Sequence, residues 1–223
     1  MPTHFESLLS SLDVSTVLPP EIQFGQALIV DLSRTRPMWQ AVGDGNPDEW
    51  VLNQMRAIGA TMSIGRYNEQ RPIYENTEQF EGTPDRDLHI GLDLGVMPGT
   101  PLTTPVDATV FSLADHQHQG DYGPTVILRH QEKGLTFFTL YGHLAADTLN
   151  KINVGQTLVK GELFGWVGDK SENGGWAPHL HFQIIQDLGE WKDDYPGVTY
   201  SNQAEVVLEN CPDPNLIIRR DDL

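Results

Sequence analysis

The sequence predicts a mainly β protein, with an antiparallel β domain over residues 82–186 and short peripheral helices towards both ends of the chain. Between residues 88 and 186, short apolar segments are separated by breaks that contain glycine and proline, which is typical of antiparallel sheets. Apolar residues at helical spacing occur before and after this region. We therefore divide the chain into an N-terminal helical and β extension (1–81), the β domain (82–186) and a C-terminal extension (187–223) wrapped on the body.

The N-terminal extension contains signals for two helices and one strand. Thr3 and Glu6 have the spacing of a capping box and precede a helical run of leucines. Residues 27–32 are apolar and β-like. Asn46, followed by proline, is an N-cap signal for a second helix, which Gly59 ends. The apolar stripe of this second helix is expected in the core and consists of Trp50, Val51, Met55 and Ile58.

Residues 65–74 carry a high density of hydrogen-bonding side chains around Pro72 for so acidic a chain. Two interpretations stay open: the segment lines a cleft, or it is a solvated loop whose cations pair with the acidic surface. The candidate substrate-binding residues are Arg66, Tyr67 and Arg71 from this segment, together with Tyr141 from a later one.

Five apolar segments are predicted strands, and the tail is predicted to be partly helical. The strand segments are residues 109–113, 125–128, 136–141, 158–167 and 180–185. Beyond them, Ser201 is a candidate cap for a short helix through residue 208, and residues 216–218 are expected to be extended.

The charge balance limits the ligands that the chain can bind. It has 31 acidic and 14 basic residues, which give a formal net charge of −17. Nucleic acid, anionic membrane surfaces and polyanionic substrates would be repelled, so a neutral or cationic ligand is favoured. The sequence indicates no particular oligomeric state.

The sequence contains few signals that indicate the cellular compartment of the protein. The single cysteine, Cys211, has no partner for an intramolecular disulfide and fits a reducing compartment. The chain starts without a signal-peptide pattern and contains no apolar run of about eighteen residues. We therefore expect a soluble, cytoplasmic protein.

Residues 176–184 place two histidines in a predicted strand. Successive strand side chains point to opposite faces, so His179 and His181 share one face, while Leu180 and Phe182 lie on the apolar face. The Cα atoms of the two histidines would lie roughly 6.6 Å apart. The two imidazoles can therefore converge on one metal ion or on one substrate group.

His89, Gly91 and Asp93 alternate with apolar residues in a second segment. A straight strand would hold His89 and Asp93 about 13 Å apart, whereas zinc–ligand bonds are only ~2 Å long. The chain must therefore bend, or a strand must start, between these two residues. Gly91 and the residues before His89 are the candidates for that bend.

His89, Asp93 and His181 would supply two imidazoles and one carboxylate to one zinc ion per chain. Three protein ligands leave the fourth tetrahedral position for water or substrate, as in catalytic zinc sites. His143 and His179 would remain unligated near the metal. A neutral imidazole can take a proton from water and a protonated one can stabilise an oxyanion, so this pair fits hydrolysis.

The residues around the remaining histidines do not indicate a metal-binding or catalytic role. His116 and His118 repeat the two-residue spacing, but they lie among polar residues and are interpreted as part of a loop. His130 and His4 are interpreted as hydrogen-bonded residues without a role in chemistry.

These motifs together resemble those of the lysostaphin-type (β-lytic) zinc metallopeptidases. They are HxxxD starting at His89, YGHL starting at Tyr141 and HLHF starting at His179. The resemblance implies an antiparallel β sandwich or barrel of the duplicated hybrid motif type over about residues 82–186, and cleavage of an amide bond in a peptide or peptide-like substrate. The implied Zn²⁺ ligands are His89, Asp93 and His181, and the implied catalytic residues are His143 and His179.

Other segments differ from those of secreted cell-wall hydrolases. Residues 66–67 with 71–74, and residues 121–124, 174–176 and 211–214, resemble a branch in which a peptidase-like module is fused to aminotransferase and small-molecule kinase domains. The leading hypothesis is a zinc-dependent hydrolase, with peptidoglycan cross-links as the default substrate that the family resemblance implies. Two alternatives stay open: a non-catalytic, metal-dependent ligand-binding or partner module that works with small-molecule metabolic enzymes, and a structural metal site.

Overall fold

Strands dominate the described part of the chain, which is residues 2–33, 41–43, 45–71 and 86–223 of a computed structural model. The strands are β1 (Ala27–Val30), β2 (Met62–Gly65), β3 (Glu69–Gln70), β4 (Arg86–His89), β5 (Leu92–Gly95), β6 (Pro101–Thr103), β7 (Ala108–His116), β8 (Gly123–Glu132), β9 (Leu135–Gly142), β10 (Thr157–Leu158), β11 (Leu163–Trp166), β12 (Leu180–Ile185) and β13 (Val198–Tyr200). The helices are α1 (His4–Ser10), α2 (Pro20–Gln23), α3 (Pro47–Ile58), α4 (Thr148–Lys151), a 3₁₀ turn (Ser201–Gln203), α5 (Ala204–Asn210) and α6 (Asn215–Ile218). The predicted mainly β fold is confirmed. In the same ranges, each helix is too short or too polar to cross a membrane.

Eight strands form one sheet in the order β1-β2-β5-β12-β9-β8-β7-β10. Two smaller sheets pair β11 with β6, and β13 with β4 and β3. Within the described ranges the large sheet is open and does not close into a barrel. Its pairs are antiparallel as predicted, except that β1 and β2 are parallel. Parallel neighbours need a long crossover connection, and α3 lies in the segment that joins these two strands.

β12 lies inside the large sheet and is covered on both faces. Leu180, Phe182 and Ile184 are fully buried in the main apolar core, which confirms the predicted alternation. A second apolar cluster consists of Ile90, Tyr122, Ile127, Leu140, Ile185, Leu188 and Cys211. Because this cluster lies beside the histidine face of β12, that face is shielded from bulk water.

The two predicted N-terminal helices are present with their predicted caps. The Thr3 hydroxyl accepts from the Glu6 amide at 3.1 Å, and the Glu6 carboxylate accepts from the Thr3 amide at 2.6 Å. Asn46 caps α3 by accepting from the Asp48 amide at 2.9 Å. α3 ends at Gly59, whose φ of 69° is in the left-handed region that glycine adopts without a steric penalty.

Three local predictions are wrong. None of the residues of α3 is buried, so its apolar stripe does not lie in the core. The predicted single strand 158–167 is divided into β10 and β11, because the chain turns at Gly161 with a φ of 80°. Residues 216–218 are helical in α6, which starts after Pro214 where the Asp213 carboxylate accepts from the Asn215 amide.

His130 is a buried histidine of β8 and is held by two hydrogen bonds. Its Nδ1 donates to the Asp107 carbonyl at 3.1 Å, and its Nε2 lies 2.7 Å from the Thr139 hydroxyl. Its ring stacks on Phe137. Burial lowers the pKa of His130 to about 4, since the protonated ring would lose its hydration.

We predict that His130 makes the free energy of unfolding pH-dependent. The unfolded chain binds a proton at His130 below pH ~6.5, and the folded chain does so only below about pH 4, so stability falls as the pH decreases between these values. The loss should reach about 3 kcal/mol relative to His130→Gln, in which the other histidines are unchanged. Urea unfolding of both proteins from pH 7 to pH 4 measures it. Parallel stability curves would contradict the prediction.

Candidate active site

Three strands bring the predicted ligand residues together. His89 ends β4, Asp93 lies in β5 and His181 lies in β12, where it is directly opposite Asp93. β4 and β5 belong to different sheets, so the chain bends between His89 and Asp93 as predicted. Gly91 lies at this bend, and a Cβ on it would be only 2.5 Å from Cε1 of His181. Glycine is therefore required there for close approach of the His181 ring.

His89, Asp93 and His181, which we call the His–Asp–His trio, present three donor atoms to one point. His89 Nε2 lies 3.2 Å from Asp93 Oδ1 and 3.2 Å from His181 Nδ1, and His181 Nδ1 lies 3.0 Å from Asp93 Oδ1. Tetrahedral bonds of ~2.0–2.2 Å would separate donor atoms by about 3.3–3.6 Å. The trio is therefore close to three corners of a zinc tetrahedron. Among the residues that the structure describes, this group of possible metal donors has only three members, which leaves the fourth corner open.

Hydrogen bonds fix which ring nitrogen faces the centre of the trio. His89 Nδ1 donates to the Arg66 carbonyl at 2.8 Å, which leaves a lone pair on Nε2. His181 Nε2 lies 3.0 Å from Gln183 Oε1, an acceptor, which leaves the lone pair on Nδ1. Gln183 is itself buried and donates towards the Pro196 carbonyl at 3.3 Å. Such outer contacts orient imidazole ligands and raise their basicity.

His143 and His179 lie beside the trio without joining it. Their ring centroids are 4.2 Å apart. His143 Nδ1 donates to the Asn173 carbonyl at 2.9 Å, and His179 Nδ1 donates to the Ala177 carbonyl at 2.7 Å. Both rings therefore keep Nε2 for proton transfer, and His179 Nε2 is 3.7 Å from Asp93 Oδ1.

The backbone of His143 is held in a strained conformation. Its φ of 63° lies in the left-handed region, which costs a non-glycine residue ~1–2 kcal/mol. Its amide donates to the Tyr122 carbonyl at 2.8 Å, and its carbonyl accepts from the Gly168 amide at 2.9 Å. These contacts maintain the strain and direct the ring towards His179.

The electrostatics of the site favour neutral imidazoles around an ionised carboxylate. Burial, and next the charge of Arg71, lower the pKa of His89 to about 4. Burial, and next the neighbouring His179, hold the pKa of His143 well below its usual value, and burial lowers the pKa of His179. Burial favours the protonated form of Asp93, but His89 and Arg71 hold its pKa well below the ordinary value. This is the protonation state that a divalent cation requires of its ligands.

The trio opens onto a cleft of about 450 Å³. All five predicted metal and catalytic residues line this cleft. Its other walls are largely apolar and include Val51, Leu52, Met55, Val96, Met97 and Trp176. Val51 and Met55 of the α3 stripe, which was predicted to be core, therefore belong to a wall of the cleft.

The predicted substrate-binding residues have other roles. Tyr141 is fully buried between Phe164 and Phe182, so its side chain cannot reach the cleft and this prediction is wrong. The Tyr67 hydroxyl donates to the Cys211 carbonyl at 2.7 Å, and the Arg66 side chain points to Asp31.

Arg71 lines the cleft, but its guanidinium is paired with Glu69 and Asp93. Pro72, which was grouped with it, lies outside the described residues. The sequence interpretation did not include Gln183, although Gln183 follows His181 by two residues and shares its face. It also did not identify the contact between Arg71 and Asp93, because the two residues are far apart in sequence.

Comparison with known proteins gives one family and one named relative. Residues 87–193 match the model of peptidase family M23. A Haemophilus influenzae protein named as an uncharacterized metalloprotease is 37% identical over 96 residues, which are 43% of this chain and 18% of that protein. The chain therefore spans less than a fifth of the length of this relative.

Parts of this chain are also similar to solved structures. The catalytic domain of the antimicrobial peptidase lysostaphin from Staphylococcus simulans is 20% identical with a TM-score of 0.40, covering 60% of this chain and 81% of that chain. A zinc containing peptidase from Vibrio cholerae is 22% identical with a TM-score of 0.39, covering 58% of this chain and 35% of that chain. The match to the family model contains the trio together with His143 and His179, so the similarity to peptidase family M23 includes the whole candidate site.

Proposed function

We propose that the chain is a zinc-dependent hydrolase that cleaves an amide bond in a peptide or peptide-like substrate. The observation that carries this proposal is the trio, whose three donor atoms lie 3.0–3.2 Å apart and leave one tetrahedral position open. The match of residues 87–193 to peptidase family M23 supports it further.

The trio fits zinc by donor chemistry as well as by distance. Two nitrogen donors and one carboxylate oxygen are typical of catalytic zinc, and the described site contains no thiolate. His89 Nε2, Asp93 Oδ1 and His181 Nδ1 would hold the ion. Zinc bound there would supply Lewis acidity, which polarises a substrate carbonyl and makes a water molecule more acidic.

His143 and His179 supply the proton transfers in this proposal. Each ring has its Nδ1–H donated to a backbone carbonyl, so each Nε2 can accept a proton from water or, once protonated, donate one. The lowered pKa of both rings keeps them neutral at pH 7, ready to act as bases. One ring would take the proton of the attacking water at Nε2, and this same proton would then pass, directly or through the neighbouring ring, to the developing oxyanion or the leaving amine.

The cleft supports a substrate with apolar groups beside the scissile bond. Val51 and Met55 of α3 and Met97 after β5 form an apolar wall next to the trio. A cleft of about 450 Å³ suits a short peptide segment. The net charge of −17 disfavours polyanionic substrates.

Cytoplasmic residence stays a prediction. It is motivated by the single cysteine, Cys211, which is buried and unpaired in the described structure. Fractionation of the native host with an antibody against the chain tests it. Recovery from the periplasm or the medium would contradict it and would favour a peptidoglycan substrate.

We predict one zinc ion per chain, lost in Asp93→Ala and in His181→Ala, because two remaining protein ligands cannot retain it. Elemental analysis of the purified proteins measures the occupancy. The matched control is the double variant His116→Ala/His118→Ala, which removes two histidines of the same spacing that lie outside the cleft and should keep its zinc. Full zinc occupancy in either ligand variant would remove that residue from the site.

We predict that His143→Asn keeps zinc but loses turnover. Asparagine tolerates the left-handed backbone of this position and cannot transfer a proton near pH 7. Removal of one proton-transfer group should lower kcat by about 10²–10⁴-fold. The substrate for this assay is first identified by digestion of a peptide library with the wild-type protein.

Two results would contradict the role of His143. Loss of zinc from His143→Asn would show that His143 is a metal ligand. Unchanged turnover in this variant would show that His143 has no catalytic role. A wild-type protein that binds zinc and cleaves no member of the library would instead support the metal-dependent binding module.

A further inference from the structure

We propose that Arg71 is a positioning residue for the metal centre, holding Asp93 directly and His89 through a shared backbone carbonyl. This proposal rests on the proposed function, because it assumes that the trio binds a divalent metal. It adds a requirement from the segment between β2 and β4, which lies outside the residues that match the family model.

The contact with Asp93 divides the two carboxylate oxygens between two roles. Arg71 Nη1 donates to Asp93 Oδ2 at 2.6 Å. Asp93 Oδ1 is the oxygen that faces His89 and His181 in the trio. The guanidinium therefore fixes the rotation of the carboxylate and leaves one defined oxygen for the metal.

The contact with His89 is indirect. Arg71 Nη2 donates to the Arg66 carbonyl at 3.2 Å, and His89 Nδ1 donates to the same carbonyl at 2.8 Å. The position of that carbonyl sets the tautomer and the direction of the His89 ring. One guanidinium thus orients two of the three ligands.

Arg71 is itself anchored on the side away from the metal centre. Its Nε donates to Glu69 Oε2 at 2.8 Å, and Glu69 Oε1 accepts from the Leu32 amide at 3.0 Å. Only 2% of the Arg71 side chain is exposed. Because a guanidinium has donors in fixed directions in one plane, contacts on several edges allow it little movement.

Gly65 provides the space that this arrangement needs. It is paired with Asp93 across β2 and β5. A Cβ at this position would lie 2.7 Å from Arg71 Nη2 and 3.3 Å from the Asp93 Cβ. The guanidinium is thus packed against a bare strand backbone next to the ligand.

Two possible effects of Arg71 predict opposite changes in zinc affinity: orientation of the ligands, and the electrostatic field of its positive charge. Arg71 carries a positive charge close to a site for a divalent cation, so its field alone weakens cation binding. If only the field mattered, removal of Arg71 would tighten zinc binding. If Arg71 positions the ligands, its removal should weaken zinc binding in spite of the gain in negative charge.

The test measures zinc affinity in the purified full chain by competition with a chromogenic chelator. The variants are Arg71→Met, the charge-balanced Glu69→Gln/Arg71→Met, and Arg71→Lys. We expect zinc affinity 10–100-fold weaker in Arg71→Met and in the double variant, with a smaller loss in Arg71→Lys, which keeps the charge but not the planar donors. The visible spectrum of the Co²⁺-loaded proteins should change in the same order.

Arg66→Ala is the matched control. Its side chain is half-exposed and pairs with Asp31 at 3.5 Å, whereas only its backbone carbonyl contacts His89 and Arg71. This variant removes a neighbouring cation but leaves the Arg71 contacts in place, so its zinc affinity should stay within about twofold of wild type.

Unchanged or tighter zinc binding in the double variant would overturn the proposal. If Arg71→Met does not fold because two carboxylates are left buried, the double variant and Arg71→Lys carry the test, with melting of the metal-free proteins reporting their folding. A wild-type chain that binds no zinc would overturn the proposed function and this proposal together. Loss of affinity equal in Arg66→Ala and Arg71→Met would also contradict a specific role for Arg71.

Discussion

Burial of the Asp93 carboxylate is the constraint on which the site depends. Only 17% of this side chain is exposed, and an isolated carboxylate in such a place would take up a proton. Contacts with Arg71, His89 and His181 keep it ionised instead. Arg71 and His181 lie 22 and 88 residues from Asp93 in the sequence, so an ionised Asp93 requires the assembled fold.

The sheet produces this assembly through its strand order. β12 is placed between β5 and β9, which puts His181 opposite Asp93 on one side and opposite Gly142 on the other. His143 follows Gly142 directly and therefore lies next to the trio. The apolar face of β12 is fixed in the core, so a one-residue slip of this strand would turn His181 towards the core and Phe182 towards the site. Core packing and site geometry are thus determined by the same register.

Much of the fold and the site could be predicted because their signals are local. The alternation around His181 indicated the strand and its faces, and the conflict between a straight strand and short metal bonds indicated the bend at Gly91. Caps at Thr3 and Asn46 indicated helices, since capping depends on neighbouring residues. The tyrosine of the YGHL motif was assigned to substrate binding, but strand alternation places Tyr141 in the core. The role of Arg71 and the cleft-facing side of α3 depend on long-range packing, which one sequence does not specify.

The most direct test of the account is anomalous diffraction at the zinc absorption edge from crystals of the zinc-loaded chain. We predict one anomalous peak per chain, ~2.0–2.2 Å from His89 Nε2, Asp93 Oδ1 and His181 Nδ1, with Arg71 still on Asp93 Oδ2 and with His143 and His179 outside bonding distance. A peak coordinated by His143 or His179, or by the other oxygen of Asp93, would contradict it.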